Sequence, residues 1–254
     1  MKILLGALFS LFAVAAAAQD VLVIGEIHDN PRHHAEQAAR VAELSPAAIV
    51  FEMLTQEQAA KVTPANRRTE DALRDALAWD ETGWPDFSMY YPIFDAAPGA
   101  RIYGAGLTRQ EARAAMNAGF DGPMDGAAAA YGLDTPLPER EQTAREALQM
   151  EAHCDALPQD MLPGMVRVQR LRDAMLAQSA RAAHEETGGP VAVITGNGHA
   201  RKDWGMPAIL ARVAPALDVH VVGQTEDGVP LPGAFDEVVS APAPDRKDPC
   251  EAFR

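Results

Sequence analysis

Val21-Leu22-Val23-Ile24-Gly25-Glu26-Ile27-His28-Asp29 is the stretch that decides the fold. Four apolar residues run without a break and stop at a glycine. A strand with one wet face alternates apolar and polar residues. An unbroken apolar run of this length fits a strand covered on both faces, as in a parallel sheet. The pattern returns at Ala47-Ala48-Ile49-Val50-Phe51, which ends at Glu52. It returns again at Val191-Ala192-Val193-Ile194, which ends at Thr195-Gly196-Asn197-Gly198-His199. Further strands are predicted over 101–104, 219–222 and 237–239.

Helix signals fill the gaps between these runs. Asn30-Pro31 reads as a cap with proline in the first turn. Ala35, Ala38, Ala39, Val41 and Ala42 give the helix that follows a small apolar face. Helices are also predicted over 55–62, 69–79, 108–117, 138–153 and 165–184. Alternating strands and helices define an α/β fold, a mainly parallel sheet flanked by helices. Residues from about 119 to 163, rich in Gly, Ala, Pro and acidic side chains, break the rhythm and read as a helical insertion. One domain is expected over 19–240. The Pro-rich, charged tail 241–254 is predicted to be poorly ordered apart from Cys250.

Of the 254 residues, 48% are apolar and 23% charged, which excludes chain-wide disorder, and 2 cysteines exclude a disulfide-dense scaffold. The net charge of -14 disfavours nucleic acid and anionic membranes as partners. Residues 1–18 read as a signal peptide: Lys2, an apolar run from Ile3 to Val14, then Ala15 to Ala18 as a small-residue cleavage site. The expected location is exported and periplasmic. No Cys follows the apolar run, which argues against a lipoprotein anchor, and no other stretch is long enough to span a membrane. Export exposes Cys154 and Cys250 to an oxidising compartment, where one intrachain pairing exists. The sequence gives no distance between them, so free thiols remain an alternative.

In parallel sheets, ligands bind beyond the carboxyl ends of the strands. The residues there are Glu26 and His28 after the first strand, Glu52 after the second and His199 after the fourth. Two Gly-x-x-His units thus follow two buried strands. Glu26, His28, Glu52 and His199 would suit a divalent metal, and equally acid–base chemistry near neutral pH. A lone histidine in such a position more often caps or packs a loop. The repeat of the unit directly after two buried strands points to a shared cleft. Neither a phosphate-loop signature nor a serine nucleophile elbow is present.

The segment from Trp84 to Phe94 is the aromatic centre of the chain and contains Tyr90 and Tyr91. It reads either as a cap on the core or as a surface for a flat apolar ligand, with one phenol free for a metal. Arg32, His33 and His34 follow the first strand's loop; they read as a solvated helix face or as further ligands.

Taken in order, these residues resemble a known family. They are Gly25 to Asp29 with His33 or His34, Glu52, Trp84 to Ile93, His153-Cys154, Gln169-Arg170 with Asp173-Ala174-Met175, and Gly196 to His199. The pattern is similar to the ChaN-like haem-binding proteins, of the superfamily that contains Tiki, TraB and the erythromycin esterases. The resemblance implies haem as cofactor and a link to haem or iron uptake at the bacterial envelope. Tyr90, Tyr91, His33, His34 or His28 would then offer the axial ligand. Arg32, Arg109 or Arg170 would meet the propionates. An exposed site implies a homodimer linked by the ligand. The resemblance also implies an alternative, a Tiki-like metal-dependent hydrolase using Glu26, His28, Glu52 and His199. Whether the protein is an enzyme stays open between the two.

Overall fold

A computed structural model describes residues 19–120, 124, 126–248 and 250–251. The expected signal peptide, 1–18, lies outside the described residues. Six strands form one sheet: β1 Val21–Ile24, β2 Ala48–Phe51, β3 Arg101–Gly104, β4 Val191–Ile194, β5 Val219–Glu226 and β6 Glu237–Ala241. Their order is β3-β2-β4-β1-β5-β6, and every neighbouring pair is parallel. β1, β2 and β4 are buried along their whole length, as their unbroken apolar runs require.

Alternate side chains feed two cores. Val21, Val23, Val50, Val191 and Val193 pack on one face, under α7 (Leu162–Thr187) and α9 (Met206–Val213). Leu22, Ile24, Ile49, Phe51 and Ile194 pack on the other. There they meet α1 (Pro31–Leu44), α3 (Glu70–Leu77) and α4 (Phe87–Ala96). Each fully buried Val, Leu, Ile or Phe contributes roughly 1.5–3 kcal/mol. Phe51 and Phe94 stack at 4.3 Å, tying β2 to α4.

The helices start where side-chain caps satisfy free backbone donors. Asn30 caps α1, Thr69 caps α3, Asp86 caps α4, Thr55 caps α2 (Gln56–Ala60) and Thr108 caps α5 (Arg109–Ala118). Two further helices are α6 (Glu139–Ala152), inside the 119–163 segment, and the single turn α8 (Asn197–Ala200). The aromatic segment, which carried no helix expectation, forms α4 with Pro92 inside it.

The tail departs from the expectation of poor order. The Asn30 amide donates to the Pro242 carbonyl at 3.1 Å. Arg246 pairs with Asp29 at 2.9 Å and with Glu226 at 3.0 Å. Cys250 forms a disulfide with Cys154, beyond the end of α6, with Cα atoms 5.4 Å apart. Among the described tail residues, 242–248 and 250–251, ionic and covalent ties take the place of sheet pairing.

Candidate functional site

The register sets the site. Ile24 lies opposite Ile194, and Ile194 opposite Phe51, so β1, β4 and β2 end level with one another. Strand spacing is about 4.8 Å. The residues that leave these three ends therefore meet in one small volume. β4 enters the sheet between β1 and β2, which makes this edge a point where the connections diverge.

Glu26 leaves β1 buried, 2% exposed. Three donors surround its carboxylate: Tyr90 Oη at 3.0 Å and His28 Nδ1 at 2.6 Å on Oε1, and Gln37 Nε2 at 2.7 Å on Oε2. α4 brings Tyr90 and α1 brings Gln37. His28 is half-buried, and its ring meets Trp84 edge-on at 4.9 Å. Burial alone would lower its pKa; the Glu26 hydrogen bond and the Glu52 charge outweigh this and raise it. Among the described residues no protein group bonds its Nε2.

Glu52 leaves β2, equally buried. Oε2 accepts from Thr195 Oγ1 at 2.7 Å and from the Gly196 amide at 2.8 Å. Oε1 faces His199 Nε2 at 3.5 Å and Arg172 at 3.7 Å. Burial pushes this carboxyl up, but the charges of His199, His28 and Arg172 and the Gly196 amide hold it down at about 2. His199, on α8, donates or accepts through Nδ1 with Asp173 of α7 at 2.7 Å. Burial would lower the His199 pKa; the charges of Glu52 and Asp173 reverse that and raise it. Burial raises Asp173, against the pull of His199 and Arg145.

Gly196 is where the two halves touch. A Cβ there would lie 3.1 Å from His28 Nε2 and 3.7 Å from Glu52 Oε2. The expected residues Glu26, His28, Glu52 and His199 thus share one edge. Glu26 is hydrogen-bonded to His28, while His199 is hydrogen-bonded to Asp173 and only faces Glu52 at 3.5 Å, so both imidazole Nδ1 atoms are engaged. Among the described residues no group of three or more His, Cys, Asp or Glu is placed to hold a metal ion.

Other expected residues lie elsewhere or are committed. Tyr90 is fully buried, and burial together with Glu26 raises its pKa strongly. Tyr91 Oη donates to the Arg67 carbonyl at 3.1 Å, away from the cluster. His33 Nδ1 accepts from the Ile27 amide at 2.9 Å, and its Nε2 faces the Thr225 carbonyl at 3.3 Å. Burial lowers its pKa. His34 Nε2 bonds the His28 carbonyl at 2.8 Å. Both rings brace the loop after β1. Arg32 is exposed. Arg170 donates to the carbonyls of Gly132 and Thr135 at 2.8 and 2.9 Å, and so ties down the segment before α6.

Sequence reasoning missed Gln37, Arg172, Asp173 and Thr195 as members of the site. Thr195 stands directly after β4, where the strand-end rule applied. Asp173 was part of the family pattern but carried no role. Nothing local marked Gln37 or Arg172.

A pocket of about 550 Å³ opens beside Glu52. Met53, Trp84 and Leu107 give it apolar walls, and Arg109 and Arg172 cations. Gly106 lets the loop after β3 close against that after β2: a Cβ there would lie 2.8 Å from the Glu52 carbonyl. A parallel α/β sheet whose edge holds two imidazole–carboxylate pairs, beside a pocket lined by Glu52, Arg172 and Trp84, defines a small-ligand site of the α/β class.

The chain matches the family described as haem-binding uptake, Tiki superfamily, ChaN, over residues 12–210, and it belongs to that family. A solved structure described as cofacial haem binding to ChaN of Campylobacter jejuni is similar at 18% identity and a TM-score of 0.61, with 84% of each chain covered. The type III effector HopBA1 is similar at 14% identity and a TM-score of 0.46, covering 88% of each chain. A mutant of the erythromycin esterase EreC gives 12% identity and a TM-score of 0.44, covering 83% of this chain and 71% of that one. No curated protein matches the chain in sequence.

Proposed function

We propose that the protein binds haem at the carboxyl edge of the sheet and serves haem or iron uptake at a bacterial envelope. Membership of the haem-binding family supports this, and the cofacial haem of the Campylobacter protein gives a precedent. The observation that carries it is His28. It is half-exposed, it abuts Trp84, and Glu26 holds its Nδ1, which leaves Nε2 free to ligate iron. Haem supplies a ferric iron with an open coordination position and two carboxylates on an apolar plane. The fit is physical: Met53, Trp84 and Leu107 offer the plane apolar surface, and the pocket brings cations to its rim. Ligation has to displace the proton that Glu26 and Glu52 favour on His28. Tyr90 would first have to abandon Glu26 and leave the core, so His28 is the better axial candidate.

The proposal includes a homodimer joined through the ligand, because a large flat ligand at the half-exposed His28 would stay partly wet on one protomer. It also includes export to the periplasm after removal of residues 1–18. The Cys154–Cys250 disulfide supports an oxidising compartment. The test is titration of the purified protein with hemin, followed at the Soret band. Saturable binding is expected, with the band shifted and affinity lowered in His28→Ala. Absence of saturable binding, or an identical spectrum and affinity in His28→Ala, overturns the proposal.

Hydrolysis is the second reading, and one observation favours it: the line Asp173–His199–Glu52 could hold and pass a proton. Metal content and peptide or ester hydrolysis, measured on the same preparation, test it.

A further inference from the structure

We infer that Arg172 is the anion anchor of this site, taking a carboxylate of the bound ligand and making the pocket selective for acidic ligands over their esters. The inference deepens the haem reading and rests on it: the carboxylate is then a haem propionate.

Arg172 projects from α7 into the wall of the pocket beside Glu52. Its side chain is 25% exposed, yet its Nε is sealed from solvent and has no hydrogen-bond partner. A buried donor left without an acceptor is destabilising. Among the described residues the carboxylate paired with it is Glu52, whose Oε1 lies 3.7 Å away, beyond hydrogen-bond reach. Glu52 cannot close that gap freely, because Thr195 and the Gly196 amide fix its other oxygen.

Other arginines of similar burial are used differently. Arg67 also has an unpartnered Nε, but its terminal nitrogens hold the carbonyls of Phe94, Ala97 and Ala100. Arg145 bonds Glu141 and the Trp204 carbonyl, and Arg170 bonds two carbonyls. Among the described residues Arg172 makes no such bond. It is a guanidinium placed in a pocket with its fork unspent, the geometry that suits a bidentate carboxylate.

Arg109 lines the same pocket, exposed, and forms no hydrogen bond or ion pair among the described residues. Of the acids there, Glu52 is already paired and Glu81 lines the pocket with Thr82 and Trp84. A chain of net charge -14 repels anions in general, so an acidic ligand needs a local cation such as this one. Trp84 lines the same pocket as Arg172, and its indole touches the ring of His28, which links the anchor to the axial candidate.

The test compares hemin with its dimethyl ester, in one detergent buffer, on the full chain. The unmodified protein is expected to bind hemin at least about tenfold more tightly than the ester. Arg172→Gln should weaken hemin about tenfold, leave the ester within about twofold, and so erase the preference. Arg172→Lys, which keeps the charge but loses the fork, should fall between. Thermal unfolding of each variant reports on folding separately. Equal affinity of the unmodified protein for hemin and ester overturns the anchor while the haem reading stands. Equal weakening of both ligands in Arg172→Gln and Arg172→Lys makes the residue merely structural and also overturns it. Failure of both ligands to bind the unmodified protein overturns the anchor and the haem reading together.

Discussion

Glu52→Gln separates the charge of this residue from its shape. The amide oxygen can keep the bonds from Thr195 and Gly196, while the negative charge facing His199 and Arg172 disappears. In the folded protein Glu52 is depressed from its ordinary 4.5 to about 2. Each tenfold change in proton affinity is worth about 1.4 kcal/mol, so the ionised carboxylate contributes on the order of 3 kcal/mol at neutral pH. A depressed carboxyl stabilises fully above its unfolded value near 4.5 and loses that contribution as pH falls through about 2. Urea unfolding followed by circular dichroism between pH 3 and pH 7 measures this. Glu52→Gln should be less stable by about 3 kcal/mol at pH 7, and by less than about half of that at pH 3. A gap that is equal at the two pH values, or no gap at pH 7, would refute the assignment of Glu52 as the ionised centre of the cluster.

Tyr90→Phe removes a donor from buried Glu26 and should cost about 1.5–3 kcal/mol, while Tyr91→Phe, on a half-buried ring, should cost about 1 kcal/mol or less; a lost Soret shift in Tyr90→Phe at unchanged stability would instead make the phenol the iron ligand. Asp173→Asn should lower the pKa of His199, since the Asp173 charge helps to raise it; an unchanged imidazole titration by NMR would contradict this. Cys154→Ser breaks a bond between residues 96 apart in sequence. It should lower stability by up to about 4 kcal/mol, and Cys250→Ser by the same amount; a double variant markedly less stable than either single one would contradict a role through the disulfide alone.

Much of the fold was legible because buried parallel strands leave an unmistakable trace. Val21–Ile24, Ala48–Phe51 and Val191–Ile194 are apolar throughout since both faces are covered. The strand-end rule then located Glu26, His28, Glu52 and His199 without any coordinates. What it could not give was the commitment of each side chain. Tyr90 and Tyr91 are adjacent in sequence, yet one lies in the core under Glu26 and the other bonds Arg67 at the far side of α4. Helix α4 itself was hidden by its rings and by Pro92, residues that oppose helix in isolation; packing of Phe87, Tyr90 and Phe94 against α1, α3 and β2 overrides that preference. His33 and His34 looked like a wet helix face, because only the turn of α1 beneath the β1 loop reveals that they point inward. Arg172 and Asp173 are consecutive on α7, and only the crossing of that helix over β2 and β4 brings both to Glu52 and His199. The tail had no pattern to read, since two ion pairs and a disulfide, not periodicity, hold it.

The central claim is that haem sits at the carboxyl edge of the sheet with its iron at His28. Crystals of the haem-loaded protein, with iron located by its anomalous scattering, test this most directly. The account predicts an iron peak within coordination distance of His28 Nε2, the porphyrin against Trp84 and a propionate at Arg172. An iron peak at any other side chain, with His28 still bonded only to Glu26, would contradict it.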